Sequence, residues 1–175
     1  MTAAGDDLAG EARLVDAMVS REARILDAGC GPGRVGTILA ALGHDVVGVD
    51  VDPVLIAAAE EDYPGPRWLV GDLTEFDLAS CGINTAFDLI VCAGNVMTFL
   101  APSTRVEVLT RMGRHLGEEG RVFVGFGSGR GCGFDDFFVD VKSAGLAAEV
   151  RLASRDLRPF DEDSGFLVAV LALSR

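Results

Sequence analysis

The residues whose types and spacing best suit ligand binding form a glycine-rich stretch, Ile25-Leu-Asp-Ala-Gly-Cys-Gly-Pro-Gly-Arg-Val-Gly36. An apolar run that contains Asp27 is followed by glycines at 29, 31, 33 and 36, and then by a helical pattern. Glycines adopt positive φ and let a ligand approach the backbone closely. A helix that begins behind them offers unpaired N–H groups and a partial positive charge. The stretch therefore predicts a strand, a tight turn and a helix that bind a small ligand.

Three further apolar runs end in residues suited to ligand binding. Asp50 and Val51 follow the second run, Asp72 and Leu73 follow the third, and Cys92-Ala-Gly-Asn95 ends the fourth. In an open parallel sheet, ligands bind beyond the carboxyl ends of the strands. We therefore expect these positions to converge on one crevice, although they are far apart in the sequence.

The rest of the chain alternates strand and helix patterns, which indicates a mainly parallel sheet with right-handed crossovers. The last two predicted strands have no helix between them, so we expect them to pair antiparallel. The predicted strands are Ile25–Ala28, Asp45–Val49, Arg67–Val70, Phe87–Cys92, Arg121–Phe126, Ala147–Ala153 and Phe166–Leu173. The predicted helices cover residues 8–20, 34–42, 53–62, 74–80, 102–116 and 134–144, and a turn is expected at 117–120.

Composition narrows the class of protein. Lys plus Arg is 15 and Asp plus Glu is 27, a net charge of −12 that repels phosphate backbones and disfavours a nucleic-acid partner. The four cysteines form no metal-type pair, so we expect reduced thiols, no metal and a cytoplasmic location. No apolar run approaches the roughly 18 residues that cross a membrane. We expect one domain over residues 25–175, preceded by an N-terminal segment over 1–24 with a short helix.

The chain resembles the class I S-adenosylmethionine-dependent methyltransferases over nearly its whole length. Asp27-x-Gly-x-Gly-x-Gly33 matches the family's first motif, Asp50 its ribose-binding acid, Gly71-Asp72-Leu73 its adenine segment and Cys92-Ala-Gly-Asn95 its fourth motif. Small bacterial members with unassigned substrates are the most similar in pattern. The resemblance implies an α/β, doubly wound, seven-stranded, mainly parallel Rossmann-like sheet of order 3-2-1-4-5-7-6, with the last strand antiparallel. It also implies S-adenosyl-L-methionine as cofactor and S-adenosyl-L-homocysteine as product.

The cofactor's chemistry assigns roles to the strand ends. A carboxylate at Asp50 suits the two ribose hydroxyls, and Asp72 can accept from the adenine amine between Val51 and Leu73. Loop N–H groups suit the methionine carboxylate, and strand-end carbonyls suit its ammonium, with Asp27 acting through water. The predicted cofactor-binding residues are Asp27, Ala28, Gly29, Cys30, Gly31, Gly33, Asp50, Val51, Asp72, Leu73, Cys92, Ala93 and Gly94.

Other functions share part of this pattern. Gly31-x-Gly33-x-x-Gly36 satisfies the dinucleotide fingerprint, and Asp50 lies nineteen positions after Gly31, as an NAD(P)-linked oxidoreductase requires. Asp27, the Asp72-Leu73 pair and the closing antiparallel strands favour the methyltransferase. A non-catalytic or partner-dependent S-adenosylmethionine-binding protein is the main alternative. Cys30 and Cys92 fit small close-packed residues better than nucleophiles.

Acceptor-side residues are expected on the loops that face the same crevice. The predicted partner is a small molecule, because the fourth strand lacks the Asn/Asp-Pro-Pro-Tyr motif of amine methylation in nucleic acids; a homodimer is left open. Asp156 is the candidate base, and a solvated loop with an internal ion pair is the alternative for its segment. His44 is expected at the surface. The substrate-binding candidates are Asn95, Met97, Ser128, Arg130, Arg155, Arg158 and Phe160.

Overall fold

A computed structural model describes residues 9–175, which form seven strands and six α-helices. The expectations for residues 1–8 lie outside this range. The strands are β1 (Arg24–Ala28), β2 (Asp45–Asp50), β3 (Arg67–Val70), β4 (Phe87–Cys92), β5 (Leu116–Gly127), β6 (Leu146–Leu152) and β7 (Phe166–Leu173). The helices are α1 (Gly10–Met18), α2 (Arg34–Ala41), α3 (Pro53–Asp62), α4 (Val96–Phe99), α5 (Arg105–His115) and α6 (Phe134–Ser143).

The seven strands form one sheet of order β3-β2-β1-β4-β5-β7-β6, which confirms the predicted topology. The pairs among β1 to β5 are parallel, whereas β7 runs antiparallel to both β5 and β6. A crossover returns each of the first five strands in the same direction. No helix separates β6 from β7, so the chain turns back directly.

Both faces of the central strands are buried, as their continuous apolar sequences predict. Leu26 and Ile90 belong to the larger core on one face, and the neighbouring Ile25 and Leu89 belong to the core on the other. Helices α1 and α2 cover this second face, where Val15 and Leu39 are fully buried. The sheet is therefore a rigid platform whose carboxyl ends are held in fixed positions.

Trp68 on β3 explains several of the glycines. Its indole packs with Cys30, and a Cβ at Gly33 or Gly36 would lie 2.9 Å from the ring. A Cβ at Gly48 would lie only 2.3 Å from it. These glycines make room for the indole, so part of the glycine pattern serves packing below the loop.

The turn predicted at residues 117–120 is wrong, because these residues belong to β5 as an irregularity. Phe87 pairs with Leu116, but Leu89 pairs with Arg121, so the register shifts between them. Extra residues in one strand of a pair bulge out without ending the pairing. Strand β5 therefore begins five residues earlier than its sequence pattern indicates.

His44 is buried, so its predicted place at the surface is also wrong. The Ala23 N–H donates to His44 Nδ1 at 3.2 Å, and His44 Nε2 lies 2.9 Å from Asp16 Oδ1. Since Nδ1 accepts, Nε2 carries the hydrogen that is donated to Asp16. This bridge fixes α1 to the start of β2.

No helix within residues 9–175 combines the length and the apolar character needed to cross a bilayer.

Candidate active site

A cavity of about 620 Å³ opens at the carboxyl ends of β1 to β4. This volume is in the range of small-molecule sites, roughly 300–1,000 Å³. The residues that line the cavity are Gly29, Gly31, Asp50, Val51, Leu55, Asp72, Leu73, Thr74, Gly94, Val96, Phe99, Leu100, Ala101 and Thr104. The structure therefore brings the ends of four strands to one crevice, as the sequence predicts.

Asp50 stands at the end of β2 with both carboxylate oxygens held by the backbone. The Gly31 N–H donates to Oδ2 at 2.8 Å, and the Asp52 N–H donates to Oδ1 at 3.0 Å. Asp52 in turn caps α3, since its Oδ1 accepts from the Val54 N–H at 2.8 Å. A carboxylate has about four acceptor positions, so each oxygen keeps a lone pair for a ligand hydroxyl.

The glycine loop after β1 is tied to the end of β2. The N–H groups of Gly29 and Cys30 both donate to Val49 O, at 2.8 and 3.1 Å. Gly31 has φ +54°, which glycine adopts without strain, and a Cβ there would meet no atom within 4 Å. A Cβ at Gly29 would lie 2.5 Å from Val96 Cγ2, so glycine lets α4 approach the loop and form the opposite wall.

Asp72 follows β3 and uses one oxygen for its own turn. Its Oδ1 accepts from the N–H and the hydroxyl of Thr74, both at 2.8 Å. These hydrogen bonds, first the one from the backbone N–H, hold the pKa of Asp72 below its ordinary value. The carboxylate is exposed, and no hydrogen bond from residues 9–175 reaches its Oδ2. The adjacent Leu73 is buried and forms apolar cavity wall.

Asp27 lies beneath the loop and is 3% exposed. The Gly36 N–H donates to its Oδ2 at 2.9 Å, which fixes the first turn of α2. Burial raises the pKa of Asp27 to about 7, against the lowering effect of this hydrogen bond. Asp27 is thus placed to support the loop from below.

Several predicted cofactor-binding residues do not line the cavity. Ala28, Cys30, Gly33, Cys92 and Ala93 are buried below it. Burial raises the pKa of the Cys30 thiol, and it raises that of Cys92 to about 12. Both thiols therefore stay protonated and pack as small residues, as the sequence indicated.

The sequence predicts Asn95 and Met97 as site residues in this segment but not the cavity wall that α4 and the residues after it form. Phe99 is 79% exposed at the cavity, and its neighbours Val96, Leu100 and Thr104 line the same wall. A helix of one turn is too short for a periodic pattern.

Met97 is not a substrate-binding residue, and that expectation is corrected. It is fully buried in the core, because α4 directs it inward while Phe99 points outward. Phe160 packs edge-to-face against Phe134, with ring centroids 5.3 Å apart, and it also contacts Phe138. Phe160 is half-buried, and its substrate-binding role stays a prediction.

Asn95 and Arg130 lie on either side of Gly127 at the ends of β4 and β5, and neither is among the residues that line the cavity. The Gly127 N–H donates to Asn95 Oδ1 at 2.8 Å, which joins the ends of β4 and β5. A Cβ at Gly127 would lie 3.7 Å from Asn95 Oδ1 and 3.8 Å from Arg130 Nε. Arg130 and the nearby Ser128 are exposed. Among residues 9–175, no side chain forms an ion pair with Arg130.

The loop between β6 and β7 contains an internal ion pair. Such a pair was the alternative to a catalytic role for Asp156 in the sequence analysis. Arg158 Nε lies 3.1 Å from Asp156 Oδ2, and Ser154 donates to Asp156 Oδ1. The Ser154 hydroxyl, and next Arg158, hold the pKa of Asp156 below its ordinary value. An exposed, paired carboxylate is a weak base, so the geometry does not favour Asp156 as catalyst. Arg155 instead pairs with Glu11 of α1.

A methyltransferase-domain family model matches residues 25–120, which is more than half of the chain. The chain is 51% identical to a TehB-like S-adenosylmethionine-dependent methyltransferase from Corynebacterium glutamicum, covering 98% of this chain and 91% of that one, with a TM-score of 0.91. This chain belongs to the class I S-adenosylmethionine-dependent methyltransferases. The predictions of family, enzyme class and cofactor are confirmed.

Two further similar proteins share less sequence with this chain. The chain is 34% identical to magnesium-protoporphyrin O-methyltransferase of Rhodobacter capsulatus over 96 residues, which are 52% of this chain and 40% of that relative. The chain thus spans less than half of this curated relative. The CcbJ methyltransferase of Streptomyces caelestis shares the fold, with 17% identity, 97% and 90% coverage of the two chains and a TM-score of 0.87. Within residues 9–175, no three His, Cys, Asp or Glu side chains are grouped to hold a metal ion.

Proposed function

We propose that this protein transfers the methyl group of S-adenosylmethionine to a small, anionic acceptor. The single observation that carries the cofactor half is Asp50, whose two oxygens are oriented by backbone N–H groups at the edge of the 620 Å³ cavity. When bound, S-adenosylmethionine supplies a methyl group on a sulfonium that needs no further activation. The residues of the chain then have to bind the cofactor and the acceptor, orient them toward each other and exclude water.

The cofactor would be held by the crevice residues. Asp50 would accept from the ribose hydroxyls, and Asp72 would accept from the adenine amine through its second oxygen. Val51 and Leu73, which line the cavity, would enclose the ring, and Phe99 would supply further apolar surface. The open space above Gly31 leaves its backbone accessible to the methionine part.

The acceptor would lie on the side of Asn95 and Arg130. Because Asn95 Oδ1 is occupied by the Gly127 N–H, its amide group is oriented and its Nδ2 remains a donor. Arg130 offers a guanidinium that pairs with carboxylate or phosphate groups in two parallel hydrogen bonds. An acceptor with one anionic group and a nucleophilic atom matches this pair.

Charge and kinship support a small acceptor. The net charge of −12 repels nucleic acids over most of the surface. The curated relative from Rhodobacter capsulatus is named for a magnesium-protoporphyrin acceptor, which is a small molecule. This kinship covers only part of that relative, so the acceptor class is our inference from charge and geometry.

A panel assay tests the proposal. The protein is incubated with S-adenosylmethionine and matched acceptors that carry a carboxylate or its neutral amide, and formation of S-adenosylhomocysteine is measured. We expect turnover with carboxylate-bearing acceptors and a KM raised about tenfold or more by Arg130→Met. Turnover of the neutral amides alone would contradict the anionic acceptor. Cofactor binding without turnover on any acceptor would favour the partner-dependent alternative.

A further inference from the structure

Glu11, in the first turn of α1, is buried although it carries a charge. The residue is 3% exposed, and glutamate is almost never fully buried unless it is paired. Its Oε1 lies 3.1 Å from Arg155 Nε, and its Oε2 lies 3.9 Å from Arg34 Nη1. Among residues 9–175, Oε2 is buried and accepts no hydrogen bond. Burying this carboxylate costs desolvation free energy, and removing one of its partners would leave an uncompensated buried charge.

The carboxylate joins three elements at the carboxyl end of the sheet. Arg34 is the first residue of α2 and directly follows Gly33 of the glycine loop. Arg155 belongs to the loop after β6, and its guanidinium lies 5.3 Å from the ring centroid of Phe166. Glu11 therefore connects the helix behind the cofactor loop with the loop on the acceptor side.

Arg155 also lines a second cavity, of about 770 Å³, between α1 and this loop. Leu14 and Ala17 form one wall, and Ala153, Leu157 and Phe166 form the other. The ion pair with Glu11 links these two walls.

Anchoring of α1 alone does not account for the pair. His44 already holds Asp16 at 2.9 Å, and Arg121 Nη2 donates to Met18 O at 2.6 Å. Ala12 and Val15 are fully buried beneath the helix. Since α1 is held at several points, the effect of Glu11 falls on its less secured partner, the exposed Arg155.

We propose that Glu11 is a positioning residue that holds Arg155, and with it residues 153–158, at the wall of the acceptor side. The role of this wall in acceptor binding rests on the proposed function. The positioning itself concerns the protein without ligand. Glu11 thereby sets the shape of the acceptor-side cavity from an element outside the sheet.

Hydrogen exchange of residues 153–158 in the full chain tests this inference. We expect Glu11→Gln and Arg155→Met each to accelerate exchange in this segment about tenfold, and the double variant to match the singles. Arg155→Lys, which keeps the charge, should stay within about threefold of the wild type. Glu107→Gln is the matched control, because Glu107 forms a half-buried pair with Arg111 at 2.8 Å on α5, an element outside residues 153–158.

Unchanged exchange in Arg155→Met would overturn the proposal, and so would additive effects in the double variant. If Glu11→Gln fails to fold, Arg155→Met still decides, because its side chain is more than a third exposed. Calorimetry with S-adenosylhomocysteine runs in parallel on the wild type and Arg155→Met, with affinities expected within about threefold of each other. If the wild type did not bind S-adenosylhomocysteine, the proposed function would be contradicted, whereas the exchange experiment would still test the positioning by Glu11.

Discussion

The two proposed sides of the site differ in which groups supply their polar atoms. On the cofactor side, backbone groups orient the polar atoms, as Gly31 and Asp52 do for Asp50. On the proposed acceptor side, the cationic side chains of Arg130, Arg155 and Arg158 stand on loops, and Arg155 pairs with Glu11 of α1. Under the proposed function, the sheet would fix recognition of the cofactor, whereas recognition of the acceptor would depend on side chains of these loops.

Asp50→Ala gives the largest expected effect and tests the cofactor side. Two charged hydrogen bonds to the ribose, at about 1.5–3 kcal/mol each, predict a loss of about 4 kcal/mol, or roughly 1,000-fold in affinity for S-adenosylhomocysteine. Calorimetry measures it. Asp45→Ala, at the opposite end of β2 and paired with Arg24, should change the affinity less than about twofold. Equal losses in both variants would refute the assignment of Asp50.

Met97 and Phe99 provide a comparison within one helical turn. Met97→Ala should lower the free energy of unfolding by about 3 kcal/mol, because it empties a fully buried position. Phe99→Ala should change stability by less than about 0.5 kcal/mol, yet weaken binding of S-adenosylhomocysteine about fivefold. Urea unfolding and calorimetry separate the two. A larger affinity loss in Met97→Ala would show that α4 faces the cavity differently.

Asp27→Asn tests the support beneath the loop through pH. The folded-state pKa of about 7 lies above the ordinary 3.8, so the stability linked to Asp27 is fully present below pH 3.8 and is lost as pH rises through 7. The amide carries no such penalty and still accepts from Gly36. Between pH 5 and pH 8, we expect the stability of the variant relative to the wild type to increase by about 2–3 kcal/mol. A variant less stable at pH 8 than at pH 5, relative to wild type, would reverse the sign and contradict the burial effect.

Arg158→Ala gives the smallest expected effect and isolates the exposed ion pair of the acceptor-side loop. Arg158 and Asp156 are 77% and 63% exposed, so removing the pair should change the free energy of unfolding by less than about 0.5 kcal/mol. Affinity for S-adenosylhomocysteine should stay the same. Thermal unfolding is the measurement, and a change above about 1 kcal/mol would mean that this pair secures the loop.

The sequence was most informative where topology alone determines position. Asp50, Asp72 and the glycine loop lie at strand ends, and parallel strands bring their carboxyl ends to the same edge. The alternation of strands and helices predicted a mainly parallel sheet, and the family resemblance supplied the strand order that the structure shows. These features needed no knowledge of side-chain packing.

Features decided by tertiary packing could not be predicted in this way. The inward turn of Met97 depends on how a single helical turn rests on the core, and the burial of His44 depends on the position of α1. Gly33 serves the indole of Trp68, a contact that the glycine pattern does not encode. The Glu11–Arg155 pair joins opposite ends of the chain, and charge pairs of this kind leave no local signal.

Calorimetric titration of the wild type with S-adenosylhomocysteine, and separately with NAD, is the most direct test that the crevice is a cofactor site for methyl transfer. We predict saturable binding of S-adenosylhomocysteine at one site per chain and no binding of NAD. Binding of NAD with no heat from S-adenosylhomocysteine would contradict the proposed reaction and favour a dinucleotide-dependent one.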